Sequence, residues 1–171
     1  MMIIESISAL RKSKAIKILP VIFLLYIPIV LVAQEPPPRP VTVTKTQDLS
    51  FGTLYQGGGG GTVTLLSDGT RSAGGTVILF GTGGSVAIFD VVANIGTVIS
   101  FLKPTSTLTD GSGHSLNFQI ASTNPSTPFV TTNTWPTPTV VRMGGILTIG
   151  TPAANPPGNY SGTFAITFIM E

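Results

Sequence analysis

The sequence predicts an all-β protein, an antiparallel immunoglobulin-like β-sandwich of about eight or nine short strands that follows a cleaved signal peptide. All 20 glycines lie after residue 33, and they divide the chain into short segments. These segments are rich in Val, Ile, Thr and Phe, the residue types that favour strands. Turn residues such as Gly, Pro and Asp-Gly end most segments, which is typical of antiparallel sandwiches.

The first 33 residues have the features of a secretory signal peptide. Four basic residues between positions 11 and 17 precede an apolar run over residues 18–32, and Ala33 provides a small residue for cleavage. The alternative is a retained membrane anchor, which needs about 20 apolar residues. Pro20 and Pro28 interrupt this shorter run, so we expect cleavage after Ala33.

Charge and cysteine content restrict the compartment and the partners. The net charge of +2 depends on the first 33 residues, which hold four of the nine basic residues and one of the seven acidic ones. The remaining chain carries −1 with scattered single charges, which argues against nucleic acid as a partner. Cysteine is absent, so neither a disulfide nor a lipid-modified cysteine can form. We expect export to the cell surface or medium, through the periplasm in a Gram-negative cell, with no membrane span after cleavage.

The mature chain divides into a Pro-rich spacer over residues 34–40 and a β-sandwich domain over residues 41–171. The spacer, QEPPPRP, predicts polyproline II. The domain contains nine candidate strands: Val41–Thr46, Leu49–Leu54, Thr62–Leu66, Thr76–Phe80, Val86–Val92, Thr97–Leu102, Ser115–Ala121, Thr139–Ile149 (broken near Gly144-Gly145) and Tyr160–Met170.

Two segments carry specific structural predictions. The glycine run 57–61 is interpreted as a flexible hairpin loop, because a phosphate-binding loop would need Lys-Ser/Thr and a following helix. The final strand alternates large and small residues from Tyr160 onward, which predicts that Phe164, Ile166 and Phe168 face the core.

The residues available for catalysis are few, so we expect no enzyme, no cofactor and no metal. His114 is the only histidine, and it lies in the turn Asp110-Gly-Ser-Gly-His114. Residues this close in a turn cannot readily form a triad with Ser112, so turn chemistry is the preferred interpretation. The scattered acids resemble no calcium loop, although their convergence in space stays open.

A long Thr/Pro-rich loop over residues 122–138 contains Trp135 and Phe129. Loops of this length are often functional or disordered, and an exposed aromatic side chain could contact a glycan or a partner protein. The alternative is that Trp135 covers one end of the sandwich, which we prefer because large aromatic residues are usually well buried.

Several motifs together resemble a known family. They are Leu49-Ser-Phe-Gly-Thr53, Ser67-Asp-Gly-Thr-Arg-Ser72, Met143-Gly-Gly-Ile-Leu-Thr148 and Pro157-Gly-Asn-Tyr-Ser-Gly-Thr163. Residues 41–171 therefore resemble the domain-of-unknown-function family numbered 4402, which comprises exported bacterial proteins. More distantly, the early FG strand and the final strand resemble spore-coat-U-type and fimbrial subunits. That resemblance implies a surface or filament role, no catalytic residues, and sandwiches that can complete each other with a donated N-terminal strand.

The leading functional hypothesis is a non-catalytic secreted or cell-surface protein, a structural subunit of a fimbria-like filament or coat. Val41 and Val43 would belong to the strand donated between subunits, and the product would be a homo-oligomer or filament. Lys45 and Gln47 interrupt the apolar alternation of that strand, so a self-contained fold is the alternative. The second hypothesis is an adhesive or glycan-binding module that uses the 122–138 loop, and the least favoured is a hydrolase that uses His114.

Overall fold

The computed structural model describes residues 39–171. The predicted signal peptide and residues 34–38 of the predicted spacer lie outside the described residues. No described segment forms a helix that could cross a membrane. The fold is all-β, and its strands are β1 (Thr42–Gln47), β2 (Leu54–Leu65), β3 (Arg71–Leu79), β4 (Ala87–Val92), β5 (Val98–Phe101), β6 (Thr105–Thr109), β7 (Ser115–Asn124), β8 (Phe129–Val130), β9 (Thr139–Ile149) and β10 (Phe168–Met170).

Strand β9 lies at the centre of the larger, seven-stranded antiparallel sheet and pairs with three other strands. Its first half pairs with β4 and its second half with β2, while β7 pairs along residues 142–148. Strand β1 then adds to β4, β3 to β2, and β6 to β7. Gly144 and Gly145 lie where β9 changes partners, and a Cβ atom on either would overlap a backbone carbonyl, of Leu65 or Gln119. Glycine is required there because the strands approach too closely for a side chain.

A smaller three-stranded sheet, in the order β10-β5-β8, packs against the larger one. An aromatic contact connects the two layers, since the Phe168 ring in β10 lies 5.8 Å from that of Phe89 in β4. Within the smaller sheet, the Phe168 ring lies 5.5 Å from that of Phe101 in β5. Buried aliphatic residues such as Val91, Ile99 and Met143 fill the space around them. The predicted antiparallel sandwich is therefore confirmed, with ten strands rather than eight or nine.

The prediction of a flexible loop at the glycine run is wrong, because residues 57–61 continue strand β2. The register with β3 shifts between Gln56 and Gly61, which marks a bulge. Thr76 fills this bulge, since its hydroxyl donates to the Gly60 carbonyl at 2.9 Å and accepts the Gly59 N–H at 3.1 Å. The glycines therefore allow the two backbones to approach closely here. They do not form a flexible loop.

Other strand boundaries also differ from the sequence prediction. Strands β6 and β8 were not predicted, and the predicted strand Leu49–Leu54 is reduced to an isolated bridge between Ser50 and Ser85 before β2 begins. The predicted final strand forms a ladder only over β10, after one bridge between Ser161 and Thr109. Its apolar residues nevertheless pack against the core as predicted. This segment thus packs on the predicted face, but among the described residues no strand pairs with residues 162–167.

Candidate functional site

A cleft lies between the start of β2 and the segment that leads to the C-terminus. It has a volume of about 680 Å³, with one wall formed by residues 49–56 and the other by residues 156–164. A second cavity of about 330 Å³ shares Leu49, Gly162 and Phe164 with it and reaches the end of β1. We call the two together the terminal groove.

The floor of the terminal groove is apolar. Its side chains come from β6, β7 and β9, and they include Leu108, Leu116, Phe118, Leu147 and Ile149. Most of these residues are buried in the core cluster, and the Phe118 ring lies 5.3 Å from the ring of Phe164 in the C-terminal wall. The floor is therefore a nearly closed part of the hydrophobic core, and the partly buried Leu108 and Phe164 offer the remaining apolar surface to a covering strand.

The C-terminal wall presents several backbone groups that have no hydrogen-bond partner among residues 39–171. Residues 162–167 belong to no strand. Within the described part of the chain, two of their carbonyls accept hydrogen bonds, that of Thr163 from the Ser106 hydroxyl at 2.7 Å and that of Thr167 from the Leu102 N–H. The N–H groups of residues 162–166 take part in no hydrogen bond with described residues. These N–H groups are therefore available, as far as the described residues show, to pair with an added strand.

A single arginine holds the opposite wall in place. The Arg71 guanidinium donates to the carbonyls of Phe51 and Gly81 at 2.7 Å each, with longer contacts to Thr53 and Phe80. Gly52 has φ +71, and a Cβ atom there would overlap Arg71 and the Gly83 carbonyl. The two family-like motifs, LSFG and SDGTRS, therefore meet in one cluster, which we call the Arg71 clasp.

Tyr160 and Asn155 fix the C-terminal wall. The Tyr160 hydroxyl donates to the Pro156 carbonyl at 2.8 Å. Burial, followed by the nearby negative charge of Asp110, raises the pKa of Tyr160. The buried Asn155 amide donates to the Ser115 carbonyl at 2.8 Å and accepts the Gly150 N–H at 2.6 Å. Tyr160 of the PPGNYSGT motif and the preceding Asn155 therefore anchor this rim of the groove.

Asp110 and His114 form a close pair in the turn between β6 and β7. The His114 Nδ1 atom lies 2.6 Å from a carboxylate oxygen of Asp110, and the other oxygen accepts the N–H groups of Ser112 and His114. Burial alone would raise the pKa of Asp110, but these hydrogen bonds outweigh it and lower the pKa. Ser112 contributes its backbone, and its side chain is exposed at the tip of the turn. The arrangement stabilises a turn, as the sequence indicates.

The acidic residues remain apart in the described structure. Within residues 39–171, no three His, Cys, Asp or Glu side chains are grouped as ligands of a metal ion. Asp48 pairs with Lys45 at 2.5 Å, and Asp68 accepts the Thr70 N–H at 2.8 Å in the β2–β3 turn. That hydrogen bond lowers the pKa of Asp68.

The predicted contact residues of the 122–138 loop separate in the structure. Phe129 starts β8 and is buried in the core. Trp135 is 52% exposed, so the interpretation of this residue as a buried lid is wrong. The Arg39 guanidinium carbon lies 4.2 Å from the centre of the indole ring, which is a cation–π contact. The indole thus connects the loop to Arg39, which lies in the predicted Pro-rich spacer.

The predicted inter-subunit strand pairs within its own chain in this structure. Five register positions connect β1 to β4, among them Val43 opposite Val91. All six residues of β1 are exposed, and only the preceding Val41 packs partly against the core. Backbone hydrogen bonds rather than buried side chains therefore hold this strand.

Sequence reasoning did not find the terminal groove or the Arg71 clasp. A family model described as "Domain of unknown function (DUF4402)" matches residues 41–169. No curated protein and no solved structure matches the chain.

Proposed function

We propose that this chain, which belongs to the DUF4402 family of domains of unknown function, is a non-catalytic, exported structural subunit of the cell surface. In this proposal, copies assemble by strand addition into a fimbria-like filament or coat. The terminal groove is the observation that carries it, because an apolar cleft beside unpaired backbone is a site for an extended strand.

The strand that we assign to the groove is the N-terminal strand of a second copy, with Val41 and Val43 directed to its floor. Its release from β4 uncovers little apolar surface, since all of β1 is exposed. The N–H groups of residues 162–166 would then receive partners, and the partly buried Leu108 and Phe164 would be covered. Because donor and acceptor surfaces differ, each added copy leaves a new groove free, and the assembly grows as an open series.

The test is the size distribution of protein purified from cells that express the full 171-residue chain, measured by light scattering over a wide concentration range. Asn159 is exposed on the groove rim, so Asn159→Trp should fill the entrance and prevent growth beyond small species. Ser112→Trp is the control, because Ser112 is also exposed and lies outside the groove. A wild type without species larger than a dimer, or equal growth of both variants, would overturn the proposal.

A second candidate function is adhesion through Trp135. The specific observation is its exposed indole, since aromatic side chains dominate binding hot spots. Trp135→Ala should abolish binding on a glycan or matrix-protein array while the thermal unfolding midpoint stays near that of the wild type. Binding that is unchanged in this variant would remove Trp135 from the role.

A further inference from the structure

One side-chain contact holds the chain immediately before β1. The Arg39 guanidinium carbon lies 4.2 Å from the centre of the Trp135 indole, and β1 begins three residues later at Thr42. The indole is 52% exposed with the guanidinium in place, so part of the ring stays open to solvent. The contact therefore joins the N-terminal side of the domain to a loop that is distant in sequence.

The 122–138 loop holds the indole at the end of the sheet where β1 begins. The Asn133 amide donates to the Pro138 carbonyl at 2.7 Å, which closes the turn around Trp135. Strand β9 then begins opposite Val91 of β4, and β1 begins opposite the neighbouring Val92. Trp135 thus belongs to a hydrogen-bonded turn beside the first ladder position of β1.

The N-terminal half of β1 is otherwise held mainly through its backbone. At the other end of the strand, the Gln47 amide donates to the Val86 carbonyl at 2.8 Å. In the described part of the chain, no side-chain hydrogen bond involves residues 40–44, and Val41 packs only partly against the core. The cation–π contact therefore reinforces a strand end that has little other side-chain support.

We infer that Arg39 and Trp135 form a latch that retains β1 in its own chain, which we call the Trp135 latch. Three residues of extended chain span only about 10 Å, so β1 cannot enter the groove of another copy while the guanidinium stays on the indole. Release of β1 from β4 therefore includes opening of the latch. The use of the released strand in assembly rests on the proposed function, whereas the retention of β1 does not.

The strength of the contact sets the size of the effect. A cation–π contact at an exposed site contributes about 0.5–1 kcal/mol. Because 1.4 kcal/mol is a factor of ten in an equilibrium constant, its loss should raise the population of released β1 about two- to five-fold. Local release of one strand leaves the rest of the sandwich folded, so the amides of β7 and β9 should be unaffected.

Hydrogen exchange of protein from cells that express the full chain tests the latch, because exchange of the protected β1 amides reports the released population. Arg39→Gln and Trp135→Leu should each accelerate it about two- to five-fold, and Trp135→Phe should have a smaller effect because it keeps an aromatic face. Lys103→Gln is the control, since it removes an exposed positive charge between β5 and β6. Exchange in both latch variants equal to that in the control would overturn the inference.

A double variant distinguishes a direct contact from two separate local effects. Arg39→Gln combined with Trp135→Leu should accelerate exchange no more than either change alone, because both changes remove the same contact. Accelerations that multiply in the double variant would contradict the latch.

Light scattering of the same variants separates the latch from strand addition. If both inferences hold, the latch variants should form large species faster than Lys103→Gln does. Faster exchange with no large species in any variant would support the latch and contradict strand addition. Unchanged exchange in variants that still assemble would contradict the latch alone.

Discussion

Replacement of Arg71 should release the wall of the terminal groove. The guanidinium makes two short hydrogen bonds, to the carbonyls of Phe51 and Gly81, and two longer ones. A hydrogen bond to a charged group contributes about 1.5–3 kcal/mol. Because Arg71 is half-buried, we use the lower end for the two short bonds and neglect the longer ones. Arg71→Ala should therefore lower the free energy of unfolding by about 3 kcal/mol.

Lysine at this position separates geometry from charge. Arg71→Lys keeps the charge but has a single ammonium group, which cannot reach both carbonyls in the same fork geometry. It should lose about 1.5 kcal/mol, half of the alanine effect. Urea denaturation measures both, and Arg142→Ala on the exposed side of β9 is the control. A loss below about 1 kcal/mol for Arg71→Ala would refute the clasp.

Three further predictions concern the glycines, the acid range and the alkaline range. Gly61→Ala should lower the free energy of unfolding by about 2–3 kcal/mol, because its Cβ atom would overlap the Gly74 carbonyl. Gly58→Ala is the control, since a Cβ atom there meets no atom within 4 Å, and it should change the urea titration little. Asp110 has a lowered pKa in the folded state, so its stabilising effect is complete above the ordinary pKa of 3.8 and is lost as the pH falls through the folded pKa. Asp110→Asn should therefore be less stable than the wild type at neutral pH, and its stability should fall less steeply in acid. Tyr160 has a raised pKa, so its stabilising effect is present below 10 and is lost as the pH rises through the folded value; unfolding midpoints of Tyr160→Phe should fall less steeply in alkali than those of the wild type. Identical pH profiles for either variant and the wild type would contradict the corresponding assignment.

Strands with strong local patterns could be predicted from the sequence. Strand β9 has the predicted bounds, residues 139–149, and β4 matches within one residue, because β-branched apolar runs between turn residues are a local signal. The predicted break near Gly144-Gly145 is wrong, since β9 runs through both glycines. The glycine run was misassigned, since its conformation depends on the close approach of β3 and β9, which are distant in sequence. Glycine offers no side chain from which that packing could be recognised.

The candidate site illustrates a different limit of sequence reasoning. Alternation from Tyr160 onward indicates which face of the chain end is buried, and Phe164, Ile166 and Phe168 do pack against the core. Alternation does not indicate whether a neighbouring strand is present. Similarly, Arg71 is an isolated charge in the sequence, and its carbonyl partners lie 9 to 20 residues away. Both the terminal groove and the Arg71 clasp are formed by residues that are distant in sequence and that the fold brings together.

The most direct test of strand addition is a disulfide between two different copies of the chain. One copy carries Val43→Cys in β1 and the other Thr163→Cys in the C-terminal wall, and a size tag on one copy identifies the mixed product. No other thiol is present, since the natural chain lacks cysteine. Strand addition predicts that this mixed dimer forms faster than the mixed dimer of Ile95→Cys and Thr163→Cys copies. Ile95 is the control position because it is exposed and lies in the β4–β5 loop, outside the groove. Equal rates for the two mixtures would contradict assembly through the terminal groove.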